Sequence, residues 1–134
     1  LHLCANYKHL QKLWDNYIMT DRESVEVLLR FIHHHLVNMS RINFDPHDFR
    51  SYSIPYPLIK ATAIEIGKKI PIDSSAKAIY YGLCFELDSK LATSYMNTFN
   101  ETLDEMGEDI GLQWSIQNST DNVVEVLYLY EPKV

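Results

Sequence analysis

The chain has 134 residues, 46% of them apolar, which suits one modest globular domain with a real hydrophobic core. Its formal net charge is −6 and its 12 Lys and Arg gather into no basic stripe, so composition argues against a general nucleic-acid or anionic-membrane binder. Two cysteines, Cys4 and Cys84, are too few and too far apart for a disulfide framework or a cysteine-rich zinc site, no stretch approaches the roughly 20 apolar residues of a membrane span, and no secretory leader is apparent, so a reducing cytoplasm is the expected setting.

The first segment, from about Ala5 to Ile18, repeats Tyr7, Leu10, Trp14 and Tyr17 at helical spacing. Thr20-Asp21-Arg22-Glu23 then reads as a capping box, and Val25, Leu28, Leu29, Ile32 and Leu36 continue a second helix to about Met39. Its apolar residues lie on more than one side, which predicts a helix buried between layers. Within it, His33, His34 and His35 fan about 100° apart and cannot converge on one metal ion as an i, i+4 pair could. Solvated or internally satisfied histidines are the expectation.

Residues 41–57, Arg-Ile-Asn-Phe-Asp-Pro-His-Asp-Phe-Arg-Ser-Tyr-Ser-Ile-Pro-Tyr-Pro, join that helix to everything downstream. Asp45 and Asp48, three apart, fall on one side of a helical first turn, with Pro46 where proline is best tolerated. Such carboxylates would stabilise the positive end of a helix with no catalysis at all. His47 beside them is a better metal candidate than the triple histidine, but its spacing matches no zinc motif.

Leu58–Ile66 is ambiguous between helix and strand and is assigned to strand; Gly67-Lys68-Lys69 breaks it. Ile79, Tyr81, Leu83, Phe85 and Leu87 share one face of the next strand, with Tyr80 and Cys84 on the other. Cys84 is thereby read as a small buried hydrophobe without a histidine pattern to make it a nucleophile. Asp88 or Ser89 can cap a helix in which Leu91, Tyr95, Phe99, Leu103 and Met106 recur before Gly107, the opposite face carrying Asn97, Asn100, Glu101, Asp104 and Glu108. Leu112, Trp114 and Ile116 alternate with Gln113, Ser115 and Gln117, a strand with one wet face. The polar turn Asn118–Asn122 leads into Val123–Tyr130, predicting an antiparallel hairpin. The fold class expected is α+β: about four strands in a mixed sheet with a helix on one face, preceded by a long central helix.

The run Asn43-Phe44-Asp45-Pro46-His47-Asp48-Phe49 resembles the Asn-x-Asp-x-x-(Asp/Glu) loop that follows the central helix in the tubulin/FtsZ superfamily, and Ile54-Pro55-Tyr56-Pro57 looks like the Val-Pro-Tyr-Pro of tubulins. Ile72–Leu83 is similar to an FtsZ segment in which an acidic, small-residue turn leads into an apolar strand. The resemblance runs from the later part of the first segment to Tyr130. It implies an N-terminal helix and central helix over residues 1–42 and a GTPase-activation domain over 43–134. It further implies that Asp48 is the catalytic acid, Asp45 its companion, and Asn43, Phe44 and His47 the supporting loop, inserted into the nucleotide pocket of the next subunit in a filament. GTP or GDP with Mg is the implied cofactor, held mainly by an N-terminal domain that this sequence does not contain: its four glycines form no phosphate-binding cluster. The chain is therefore expected to be part of a longer polymerising GTPase, inactive alone.

Two departures bear on the subgroup. The 11 residues Gly67–Lys77 leave little room for the helix that FtsZ carries there, and Met39-Ser40-Arg41 lack the glycine that FtsZ has before its loop. Both, with the tubulin-like Pro55-Tyr56-Pro57, lean toward a plasmid- or phage-encoded DNA-segregation protein of the TubZ kind, with a DNA-bound adaptor as a further partner, over an FtsZ-type division protein. A stand-alone acidic binding or immunity protein is the competing class. A small hydrolase using Asp45, His47 and Asp48 directly is a third, lacking any nucleophile or metal pattern.

Overall fold

The computed structural model describes residues 20–37, 53–106 and 110–131. The elements run α1 (Arg22–Ile32), a π-helical turn (His33–Val37), β1 (Leu58–Glu65), β2 (Ala78–Phe85), α2 (Ala92–Glu105), β3 (Gly111–Asn118) and β4 (Val123–Tyr130). The four strands form one mixed sheet in the order β1-β4-β2-β3, in the α+β class expected. β4 is antiparallel to both β1 and β2, while β2 and β3 are parallel.

That order corrects the hairpin expectation: β3 and β4 follow each other in sequence but are separated by β2. Two strands running parallel need a crossover, and α2 supplies it between β2 and β3. The connection from β3 to β4 then has only to pass one strand, about 10 Å across two inter-strand spacings, within reach of residues 119–122 at about 3.3 Å each. Ser119 N–H donates to the Phe85 carbonyl as the chain crosses the end of β2. Loop length therefore cannot distinguish this path from a hairpin.

β2 is the axis of the fold, buried along its whole length. Its alternation sorts two cores. Ile79, Tyr81, Leu83 and Phe85 face α2, where Ala92, Tyr95, Met96, Phe99, Leu103 and Met106 pack over them. Phe99 meets Tyr81 and Trp114 edge-on, at ring separations of 5.2 and 5.8 Å, a geometry suited to the ring quadrupoles. Leu91, predicted to join this stripe, stands at the N-cap position and is exposed; the helix proper starts at Ala92, and the turn before it is held by Ser89, whose Oγ accepts from Leu91 N–H.

On the opposite face, Ala78 and Tyr80 join Ile59, Leu127 and Leu129 beneath Leu28 and Phe31 of α1. α1 is an 11-residue amphipathic helix with Leu29 half exposed, so the long central helix buried on several sides is not seen; the α-helical hydrogen bonding ends at Ile32 and opens into the π turn. Its cap is Asp21, whose carboxylate accepts from Ser24 N–H at 2.8 Å, one residue later than the predicted capping box. Thr20, freed from capping, donates to the Ile59 carbonyl, and Ser24 Oγ accepts from Ala61 N–H. These two bonds tie α1 to the main chain of β1, an edge strand that would otherwise offer unpaired groups.

Leu58–Glu65 is a strand, as assigned, and Gly67 ends it with φ of 88°, a left-handed conformation in which Tyr95 also lies only 3.1 Å from where a Cβ would stand.

Candidate functional site

Asn43, Phe44, Asp45, His47 and Asp48 lie outside the described residues, as does the 5–18 segment. Described structure resumes at Ser53 and passes through Pro55-Tyr56-Pro57 directly into β1, with Tyr56 packed against the α1 core.

The polar constellation among the described residues stands elsewhere, where the π turn meets the sheet. The strand register builds it. Ala63 of β1, Glu125 of β4, Gly82 of β2 and Ser115 of β3 form one row across the sheet. In the next row on the same face, Cys84 pairs with Val123 on one side and Gln117 on the other. Gly82 leaves a gap in the first row between Glu125 and Ser115. The His35 imidazole fills it so closely that a Cβ on residue 82 would lie 2.4 Å from His35 Nε2.

Four potential metal donors converge here, one atom each from His34, His35, Cys84 and Glu125, all within 4.8 Å of one another. His34 Nδ1 lies 2.8 Å from Glu125 Oε1, and His35 Nδ1 lies 2.8 Å from Ser115 Oγ. His35 Nε2 is 3.5 Å from Cys84 Sγ, which is 3.9 Å from Glu125 Oε1. His35, Cys84 and Ser115 have no solvent exposure, and Glu125 is 2% exposed. Among the described residues its Oε2 has no hydrogen-bond partner, nor has Gln117 Oε1 on the adjoining row. A surface pocket lined by Arg30, His34, Ala63, Asp121, Val123 and Glu125 reaches the cluster from the β1 side.

Electrostatics follow from burial. Desolvation, with His34 alongside, lowers the His35 pKa to about 4, so its imidazole is neutral and offers one donor and one acceptor nitrogen. Burial, followed by the charges of Glu125 and Asp121, pushes the Cys84 thiol up to about 12. It is therefore no nucleophile at neutral pH. Glu125 is raised by desolvation against the opposing pull of His34 and, more weakly, Arg30.

Three expectations are corrected. His34 and His35 do converge, because the π turn reduces the angular step from 100° to roughly 80° per residue and sets both rings over the sheet, while His33 remains exposed. Cys84 is buried as expected but has histidine neighbours, from 49 residues away in the chain. Ser115 is fully buried under His35, not on a wet face. Two local signals pointed here: Gly82, isolated in an apolar strand, marks a close approach, and Glu125, alone among Val123, Val124, Val126 and Leu127, marks a buried charge that must be compensated.

No protein-family model matches the chain, and no curated protein matches its sequence.

Proposed function

We propose that this chain is the central-helix and activation-domain part of a polymerising GTPase of the tubulin/FtsZ type, closest in character to TubZ-like segregation proteins of plasmids or phages. The observation that carries the reading is one continuous stretch. The Asn43-x-Asp45-x-x-Asp48-Phe49 run leads through Pro55-Tyr56-Pro57 straight into an edge strand of a mixed four-stranded sheet, followed by strand, helix, strand and strand. Shape alone would license no function, so the weight rests on the residues of the loop.

In this reading Asp48, with Asp45 beside it and Asn43, Phe44 and His47 shaping the loop, positions water against the γ-phosphate of GTP and Mg held by the neighbouring subunit. Hydrolysis then waits on filament assembly, because the two halves of the site belong to different subunits. Among the described residues no helix is long and apolar enough to cross a membrane, which is compatible with a filament in the cytoplasm.

The test is made on the whole gene product. Asp48→Ala should leave filaments intact and slow GTP turnover by about 100-fold or more, the scale of a lost general base or water-orienting group. Unchanged turnover removes Asp48 from the role. A natural product of about 15.7 kDa, the mass of this chain, would overturn the reading and favour an acidic binding protein.

A further inference from the structure

The cluster beneath the π turn asks for more than hydrogen bonding explains. A nine-tenths buried carboxylate oxygen with no hydrogen-bond partner among the described residues costs on the order of 1–3 kcal/mol or more, and the other oxygen of the same Glu125 carboxylate stands in a group that holds a thiol and two imidazoles. We propose that His34, His35, Cys84 and Glu125 form a closed tetrahedral site for a zinc ion that staples α1 to the sheet.

Three features of the geometry carry this. The first is the donor set: two imidazole nitrogens, one sulfur and one carboxylate oxygen suit a borderline-soft divalent cation, and four protein donors leave no open position for water. The second is spacing. Zn–N of about 2.0–2.1 Å and Zn–S of about 2.3 Å give tetrahedral edges of roughly 3.3–3.7 Å. The 3.5 Å between His35 Nε2 and Cys84 Sγ is such an edge, and the 3.9 Å from Cys84 to Glu125 is close to one. The 2.8 Å between His34 Nδ1 and Glu125 Oε1 is a hydrogen-bond length, so the ion displaces the proton shared there and takes up a carboxylate oxygen in its place. The third is the outer shell: His35 Nδ1 faces Ser115 Oγ, the partner a ligating imidazole needs on its other nitrogen to fix tautomer and ring orientation.

Charge balance agrees with burial. A divalent cation, one thiolate, one carboxylate and two neutral imidazoles sum to zero, so the filled site carries no net charge into the core. Binding releases the Cys84 thiol proton to solvent and leaves both ligating imidazoles neutral, the proton between His34 Nδ1 and Glu125 Oε1 moving to His34 Nε2 or leaving through the pocket beside Ala63. The ligands come from the π turn, β2 and β4, so the ion cross-links segments up to 91 residues apart in sequence.

The experiment uses the 134-residue chain, stripped with a chelator and titrated with Zn(II), and in parallel with Co(II) as a spectroscopic stand-in. Expected are one ion per chain, a rise in thermal midpoint on adding Zn(II), and, with Co(II), the intense visible bands of a tetrahedral centre together with thiolate-to-metal charge transfer. Cys84→Ser and Glu125→Gln, close in size to the native residues, should each weaken binding by tenfold or more; Cys84→Ser should also abolish the charge-transfer band. Ser115→Ala, a positioning change, should weaken Zn(II) by about 10–100-fold while keeping that band. Cys4→Ala and His33→Ala should leave stoichiometry and spectrum as they are. The proposal is overturned if Co(II) gives no charge-transfer band, if the band follows Cys4, or if folded Cys84→Ser binds Zn(II) as tightly as the unaltered chain.

Discussion

The two faces of the sheet use the same strands to opposite ends. On the α2 face, β2 presents Ile79, Tyr81, Leu83 and Phe85 to an apolar and aromatic layer, and its polar contacts stay at the rim, where Tyr128 donates to the Pro71 carbonyl and Tyr130 to Asp73. On the α1 face the apolar packing of Leu28 and Phe31 covers only one end. Toward the other end His35, Ser115, Cys84 and Glu125 are buried together. A face that only has to stabilise can be filled with hydrocarbon. One that places a thiol, a carboxylate and two imidazoles together accepts desolvation costs that packing alone would never select.

The largest break in this comparison is Phe99→Ala. Phe99 is 2% exposed at the centre of the α2 face, so its removal should cost about 3–5 kcal/mol in urea denaturation. Zn(II) binding should persist wherever the variant is folded; loss of binding in the folded variant would show that the faces are not independent.

Gly82→Ala attacks the other face. In an ordinary strand the change is neutral or favourable, since glycine packs nothing and weakens the strand. Here the new Cβ would meet His35 at 2.4 Å, and the ring must leave its seat. A loss of about 1–3 kcal/mol by the same urea assay is expected. If the variant were instead more stable, the seating of His35 against the strand would be wrong.

The smallest effect is at the rim. Asp73 accepts from Ser75 N–H at 2.9 Å, from Ser75 Oγ–H at 2.6 Å and from Tyr130 Oη–H at 2.5 Å, and these bonds, the Ser75 side chain's first, hold its pKa below the ordinary 3.8. A carboxylate with a depressed folded-state pKa stabilises fully above its unfolded value. The contribution fades as pH falls below about 3.8 and through the lower folded value. Asp73→Asn should therefore cost well under 1 kcal/mol at neutral pH, the site being partly open to solvent, and the difference from the unaltered chain should vanish in acid. A difference that grew on acidification would contradict the sign.

Much of the fold was legible because it is local. Alternation in Ile79–Phe85 placed Tyr80 and Cys84 opposite Ile79, Tyr81, Leu83 and Phe85, and the spacing of Tyr95, Phe99 and Leu103 fixed the buried face of α2. Gly67 ended β1 where a left-handed residue was needed. The site was not legible in the same way. Its donors are adjacent only at His34 and His35, and helical geometry separates adjacent residues unless the turn widens, which no side-chain pattern here announced.

The sequence by itself determined most helices and strands and the alternation of faces along β2, β3 and α2, because period and capping act over a few residues, whereas the π turn and the strand state of Leu58–Glu65 were decided in the fold. Which strand lies beside which was decided only in three dimensions: burial drives β3 equally well against β4 or β2, and α2 makes the parallel pairing reachable. That choice brings Ser115 and Gly82 into one row with Glu125 and lets one imidazole drop between them.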